Sequence, residues 1–379
     1  MIKMVFISNF FNHHQKPFSD SMYSKLNGNF SFIETSDIDE ERKKLGWNLT
    51  DYPEYVFNFL RAPEKCKEII NNSDVIILGS APYSLINDCL KKGKLTFLYS
   101  ERIYKNGYNR LKLPVRMLKN YKKFGRYKNM YLLCASAYAY NDYLKTFNFI
   151  NRAYKWGYFP EYIEYGNISH LIEKKEKNQI LWCGRLIDWK HPERAVDLAI
   201  NLKNHGYEFK LLFIGTGPLE EKIKLMIRQN SLEDCVNILG SMSPKAVRKY
   251  MEQSQIFIFT SDKKEGWGAV VNEAMNSACG IVANNAPGSV PFLIKDRVNG
   301  IIYDTDEEDS LFVNVKYLLD NKEILEKISK QAYLTISSLW NSDVASTRII
   351  RLSEIILKND LLPNLFSEGP CSKAEKINE

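Results

Sequence analysis

Short apolar runs alternate with amphipathic stretches along most of the chain. Residues 2–8, 30–35, 74–80, 94–100 and 130–136 have the length and apolar content of buried strands. Helical spacing is read between them near 83–91 and from the last run to about Phe147. The alternation breaks at Trp156–Pro160 and again over the highly polar Glu173–Asn178, which together predict a linker. It then restarts, with strands at 180–184, 209–214, 235–239, 255–260 and 280–283 and helices at about 192–204, 218–229, 243–253, 269–278 and 306–319. Strands that alternate with helices predict parallel sheets covered on both faces, and two such series predict two Rossmann-like α/β domains. Residues 340–358 read as one long amphipathic helix, and the Pro- and Gly-bearing stretch 359–379 as a loose tail.

Length agrees with this division, since 379 residues at 45% hydrophobic content suffice for two cores. The seven cysteines form no C-x-x-C pair and several fall in apolar runs. They read as small buried hydrophobes in a reducing compartment, not as disulfides or a zinc site. The first strand begins without a signal-peptide pattern, and no apolar run approaches the ~20 residues of a membrane span, so a cytoplasmic protein is expected. A net charge of +7 suits anionic ligands or an anionic surface and is too modest for a dedicated nucleic-acid binder. Residues 110–128 carry eight Lys/Arg and no acid, interleaved with Tyr121, Phe124 and Tyr127. That stretch fits peripheral contact with an anionic membrane surface, or a lipid diphosphate; the plainer alternative is a solvated basic helix. No nucleic-acid recognition module accompanies it.

The stretch Glu265-Gly-Trp-Gly-Ala-Val-Val-Asn-Glu273 holds the most chemistry. Glu265 is read in a loop that opens a helix, and Glu273 two turns inside it. Gly266 and Gly268 let backbone approach a ligand closely, and the first N–H groups of a helix favour phosphate or oxygen-rich groups. An acidic helix cap is the alternative. Gly184-Arg185-Leu-Ile-Asp-Trp-Lys190 directly follows a strand and would place two cations at its mouth, suited to a diphosphate leaving group. Gly215-Thr-Gly217-Pro218 is a strand-to-helix turn with the same potential for close approach. Ala286-Pro-Gly-Ser289 either lines the same region or is a simple turn. Two Asp-x-Asp triplets, Asp37-Ile-Asp39 and Asp304-Thr-Asp306, read as a helix start and a helix cap, and no catalytic metal is expected.

The paired glutamates, with the small residues after the first and the Asn-Glu-Ala-Met ending, resemble the E-x7-E motif of retaining glycosyltransferases of family 4. Gly184, Arg185 and Lys190 match that family's G-R-x(4)-K, and Gly215 and Gly217 its Gly-x-Gly-Pro turn. The resemblance implies a GT-B fold, two Rossmann-like domains facing across a cleft. It implies an N-terminal acceptor domain, 1–156, completed by the helix 340–358, and a C-terminal donor-binding domain, 157–336. The transferred sugar would come from a nucleotide-sugar, which is a co-substrate, so no resident cofactor is expected. By this likeness Glu265 contacts sugar hydroxyls, Glu273 the ribose, and Arg185 and Lys190 the departing diphosphate. Leu239 borders the nucleobase, and Gly266, Trp267, Gly268 and Ala269 the sugar. Trp267 stands where the family commonly has Phe. The first loop, with Asn9, His13 and His14, would face the acceptor. The family's later histidine position reads Tyr99-Ser-Glu101-Arg102 here, which makes Glu101 and Arg102 candidates for acceptor or donor contacts. Transfer to a glycan or lipid-linked acceptor in bacterial surface polysaccharide assembly is the implied context, at the inner face of the membrane if 110–128 docks there. A sugar-nucleotide epimerase and a non-catalytic sugar-nucleotide-binding subunit remain open. A nicotinamide oxidoreductase is disfavoured because no G-x-G-x-x-G opens the first domain.

Overall fold

In a computed structural model, residues 2–38, 51–307, 309–358 and 365–378 are described. The chain forms two units, Met1–Glu161 with Trp340–Glu379, and Tyr162–Leu339.

The first unit is built on seven parallel strands: β1 (Met4–Ser8), β2 (Phe30–Glu34), β3 (Val56–Asn58), β4 (Val75–Leu78), β5 (Leu95–Ser100), β6 (Met130–Cys134) and β7 (Ala153–Lys155). Their order is β3-β2-β1-β4-β5-β6-β7. The second unit has six: β8 (Glu176–Cys183), β9 (Lys210–Ile214), β10 (Val236–Ile238), β11 (Ser254–Phe259), β12 (Gly280–Asn284) and β13 (Ile301–Tyr303), ordered β10-β9-β8-β11-β12-β13. All these pairings are parallel, and β1, β4 and β12 are buried along their whole length, as helices on both faces require. The expected pair of Rossmann-like domains is therefore present. The helices follow ordinary rules. Pro192–Asn204 opens on proline and Glu193 and buries Ala195, Val196, Leu198, Ala199 and Leu202 against the second sheet.

Several elements go beyond the sequence reading. β3, β7 and β13 are three-residue edge strands, too short to show a period. The helices Lys16–Lys25 and Pro63–Asn72 fall where the sequence pattern predicts no element. The helix Lys322–Ser338 was not expected, although Leu325, Ile328, Ala332 and Ile336 recur at helical spacing. The expected helices 269–278 and 306–319 are observed as Val270–Asn276 and Ser310–Asp320.

The stretch read as a linker holds the boundary between the two units, at Glu161/Tyr162, but both of its ends are built into the units. Trp156 and Phe159 are buried in the first unit, edge-to-face with each other at 4.9 Å and close to Phe18 and Trp340. Glu176–Asn178 already belong to β8, and Lys175 is buried just before it. The helix Ser342–Leu357, capped by the Asn341 side chain, packs on Lys16–Lys25, with Ser21 and Ser346 hydroxyls 2.7 Å apart and Lys25 paired with Asp343.

The loose tail is also corrected, for residues 365–378. Lys155 N–H donates to Ser372 O at 2.8 Å, Cys371 N–H to Lys155 O at 2.8 Å, and Ala374 N–H to Ala153 O at 3.0 Å. Farther on, the Asn141 amide exchanges two bonds with the backbone of Ile377. Backbone pairing to the edge strand outweighs the disordering composition. Cys66, Cys89, Cys134, Cys279 and Cys371 are buried free thiols, with Cys183 and Cys235 half-buried. No helix among the described residues is long and apolar enough to cross a membrane.

Candidate functional site

In open α/β sheets ligands bind beyond the carboxyl ends of the strands, where the strand order reverses. In the second unit that point lies between β8 and β11. The loop after β8 carries Gly184, Arg185 and Lys190; the loop after β11 carries Glu265, Gly266, Trp267, Gly268 and Ala269. The two loops are tied together by the ion pair Lys190 Nζ–Glu265 Oε2, 2.5 Å long, with both side chains 16% exposed. Ser261 Oγ lies 3.5 Å from the same carboxylate oxygen. An acid and a base that residue spacing alone left 75 positions apart thus meet at the reversal of strand order.

Residues that the motif did not single out hold these loops in register. Trp182 Nε1–H donates to Thr260 Oγ1 at 2.8 Å, and Thr260 Oγ1–H donates to Lys190 O at 2.6 Å. Asp262 N–H donates to Trp189 O at 2.8 Å. His191 bridges Glu193, 2.7 Å from Nδ1, and Asp262, 3.3 Å from Nε2. Thr260 stands directly after an apolar strand and His191 directly before a helix-starting proline, which are the only sequence signals either gives.

Glu273 lies half-buried on the helix Val270–Asn276. The Cys183 thiol ends β8 and is pushed up to about 12 by its burial, with the Glu273 carboxylate pushing the same way and the Lys190 ammonium opposing. Glu273 and Lys190 therefore act on one point at the strand end, and Cys183 is a protonated thiol at neutral pH. Arg185 is exposed at the mouth of β8. Arg248 Nη1 donates to Glu273 O at 3.0 Å and Asn276 Oδ1 at 2.9 Å, bracing the helix from behind. Gly288 N–H donates to Glu265 O at 3.4 Å, which brings Ala286–Ser289 beside the same loop.

The glycines have a local explanation. Gly215 has φ +134°, and a Cβ there would lie 1.9 Å from Gly184 O; one on Gly217 would lie 2.4 Å from Leu186 O. The β8 and β9 turns touch backbone to backbone, so glycine is needed there whatever approaches from solvent. Leu239 extends β10, donating to Phe213 O at 2.8 Å, and Gly240 O accepts from Gly215 N–H at 2.8 Å. Trp267 turns inward: it is 1% exposed and its indole N–H donates to Asn272 Oδ1 at 2.9 Å. Its bulk supports the loop from the core. Asp304 Oδ1 accepts from Asp306 N–H at 3.0 Å, closing a turn instead of capping the helix that starts at Ser310. Asp39 of the other triplet lies outside the described residues.

In the first unit a cavity of about 560 Å³ opens at the equivalent reversal, lined by Asn9, His14, Tyr99, Glu101, Arg102 and Tyr158 among others. His13 is not in its lining but packs against His14, ring centroids 4.0 Å apart and planes inclined by 44°. Arg102 and Glu101 are both engaged with protein. Arg102 is buried beside Asp142 at 3.3 Å and over the Tyr138 ring, and Glu101 accepts from Lys105 at 2.5 Å and from Tyr158 OH at 3.0 Å.

Burial lowers His13 to about 4 and His14, which also faces His13, to about 3. Both are neutral in the folded protein at pH 7, whereas in the unfolded chain they protonate near 6.5. Their contribution is intact above pH 6.5 and is lost as pH falls through about 4 and 3. Thermal unfolding across this window should show a loss of a few kcal/mol that His14→Phe shrinks, since Phe takes up no proton. Equal slopes for the two proteins would refute it.

Residues 167–335 match the family Glycosyl transferases group 1. The amylovoran biosynthesis glycosyltransferase AmsK of Erwinia amylovora is 25% identical over 181 residues, 46% of this chain and 44% of that protein. The N-acetylgalactosamine-N,N'-diacetylbacillosaminyl-diphospho-undecaprenol 4-alpha-N-acetylgalactosaminyltransferase of Campylobacter jejuni is 27% identical over 153 residues, 40% of each. The chain spans about half the length of the curated relatives it matches. Among solved structures, Anabaena Alr3699/HepE in complex with UDP superposes with TM-score 0.68 at 14% identity, covering 93% of this chain and 100% of that one. TarM superposes with TM-score 0.66 at 11% identity, covering 93% and 99%. These likenesses establish the fold as GT-B.

Proposed function

We propose that the chain is a retaining glycosyltransferase that moves a sugar from a nucleotide-sugar to an acceptor hydroxyl during assembly of a bacterial surface polysaccharide. The Lys190–Glu265 pair at the strand-order reversal of the second unit carries this reading. Support for a nucleotide diphosphate donor comes from Alr3699/HepE, a fold neighbour solved with UDP and with UDP-glucose. Support for a polysaccharide and a lipid-linked acceptor comes from the names of the AmsK and Campylobacter relatives.

In the proposed reaction the bond between the anomeric carbon and the diphosphate breaks as the acceptor oxygen arrives on the same face. Negative charge accumulates on the leaving phosphate, and Lys190 and Arg185 stabilise it. The leaving phosphate takes the acceptor's proton, so no separate base is required. Glu265 exchanges its lysine partner for sugar hydroxyls as the donor enters, and Glu273 holds the ribose. Gly266, Gly268 and Ala269 offer backbone N–H groups to the sugar, and Leu239 borders the base. The first-unit cavity with Asn9, His14 and Glu101 takes the acceptor.

A thermal-shift screen over sugar nucleotides tests the donor. A nucleotide-sugar at a hundred times its Kd should stabilise by about 2.7 kcal/mol. The best donor is then incubated with and without glycosyl-diphospholipid acceptors, and the anomeric configuration of the product is read. No stabilisation by any sugar nucleotide, or conversion of donor to an epimer without acceptor, would overturn the proposal.

A further inference from the structure

Residues 110–128 carry a formal charge of +8, against +7 for the whole chain, so the remainder is close to neutral. The basic run forms the turn Arg110–Lys112, the helix Leu113–Asn120 and the wider turn Tyr121–Gly125. Its inner side is set by Phe124, which is buried against Tyr143 and Phe149. The opposite side is apolar and exposed: Leu111 is 89%, Val115 72% and Leu118 59% accessible. Positions 111, 115 and 118 recur at helical spacing, so they form one ridge. Lys112, Lys119 and Lys122, all exposed, flank it.

The neighbouring loop adds to this surface. Asn120 donates to Thr146 Oγ1 at 3.1 Å, which places residues 146–150 beside the helix. There Phe147 is held at φ +53° and is 68% exposed, and Ile150 is 50% exposed. The left-handed region is unfavourable for a bulky residue, and the buried Asn148, donating to Thr146 O at 2.7 Å, fixes the loop that imposes it.

We propose that this face docks on an anionic phospholipid bilayer, with Leu111, Val115, Leu118 and Phe147 entering the interface and the surrounding lysines pairing with lipid phosphates. Charge complementarity selects an anionic partner, and the aliphatic ridge selects a bilayer over a nucleic acid, because a phosphate backbone offers nothing apolar to bury. The inference stands apart from the donor chemistry and does not depend on it.

The test is co-sedimentation of the full chain with vesicles of phosphatidylcholine alone, or of equal parts phosphatidylcholine and phosphatidylglycerol. The wild type should bind the anionic vesicles and not the neutral ones, less so at high salt. Each basic residue near an anionic surface contributes roughly fivefold, so Lys112→Gln/Lys119→Gln/Lys122→Gln should weaken binding about a hundredfold. Leu111→Ser/Val115→Ser/Leu118→Ser should weaken it at least tenfold with the melting temperature unchanged, since these side chains are already exposed. No binding of the wild type to anionic vesicles overturns the proposal. So does full retention by the serine variant, or tighter binding to a nucleic-acid duplex than to vesicles that is indifferent to the serine changes.

Discussion

Replacing Lys190 by alanine is expected to lower sugar transfer at least a hundredfold, and replacing Glu265 by alanine to do the same. The two side chains lie 2.5 Å apart, and each is only 16% exposed. A charge contact in such a sheltered place is worth far more than one in water, and loss of a comparable group commonly costs ~10²-fold or more in rate. Removing either partner also leaves the other charge sheltered and unbalanced. The double variant should therefore be much less impaired than the product of the single losses, because both act on the same donor and on each other. Lys190→Arg should recover part of the rate, since charge persists while the fork geometry differs. Transfer kinetics on the four variants and the wild type decide it. If both alanine variants keep within ~3-fold of the wild-type rate, the proposed roles fail.

The second large effect concerns stability. Lys175→Met should destabilise the second unit by about 3–5 kcal/mol, the range for removing one partner from a buried charged contact. Lys175 Nζ donates to Met251 O at 2.9 Å, Glu252 O at 3.1 Å, Ser254 O at 2.9 Å and Ser277 O at 2.8 Å. An ammonium has three protons, so they are shared among four carbonyls. Two of the carbonyls end the helix Pro244–Gln253, and Ser277 O lies just past the helix that bears Glu273, so two negative helix ends converge on one cation. Methionine fills the volume but donates nothing, leaving buried carbonyls unsatisfied. Chemical denaturation of wild type and variant measures the difference; a loss under ~1 kcal/mol would contradict this account.

Lys175 also marks the limit of what one sequence discloses. It stands in the run Glu-Lys-Lys-Glu-Lys, where every local cue says solvent. Only the return of two distant helix ends gives it a buried role, and such convergence leaves no trace in composition. Long buried strands such as β1 and β12 were legible because burial on both faces writes a continuous apolar word. The three-residue edge strands β3, β7 and β13 write nothing. Within the site, Glu265 and Lys190 were recognisable by spacing, but their pairing was not. Thr260 and His191 hold the loops through single bonds, which no periodic signal announces. Trp267 is placed at the sugar by likeness to the family alone, whereas its indole is bonded to Asn272 inside the core, a partner that no spacing announces.

The pairing of Cys371–Ala374 with β7 has a consequence for how the molecule behaves in crowded solution. A bare outer strand offers its amides and carbonyls to any passing chain, and sheets then grow from molecule to molecule. Here residues 371–374 of the same chain occupy that position, so self-association by strand addition is blocked on this side by an intramolecular competitor that is always at hand.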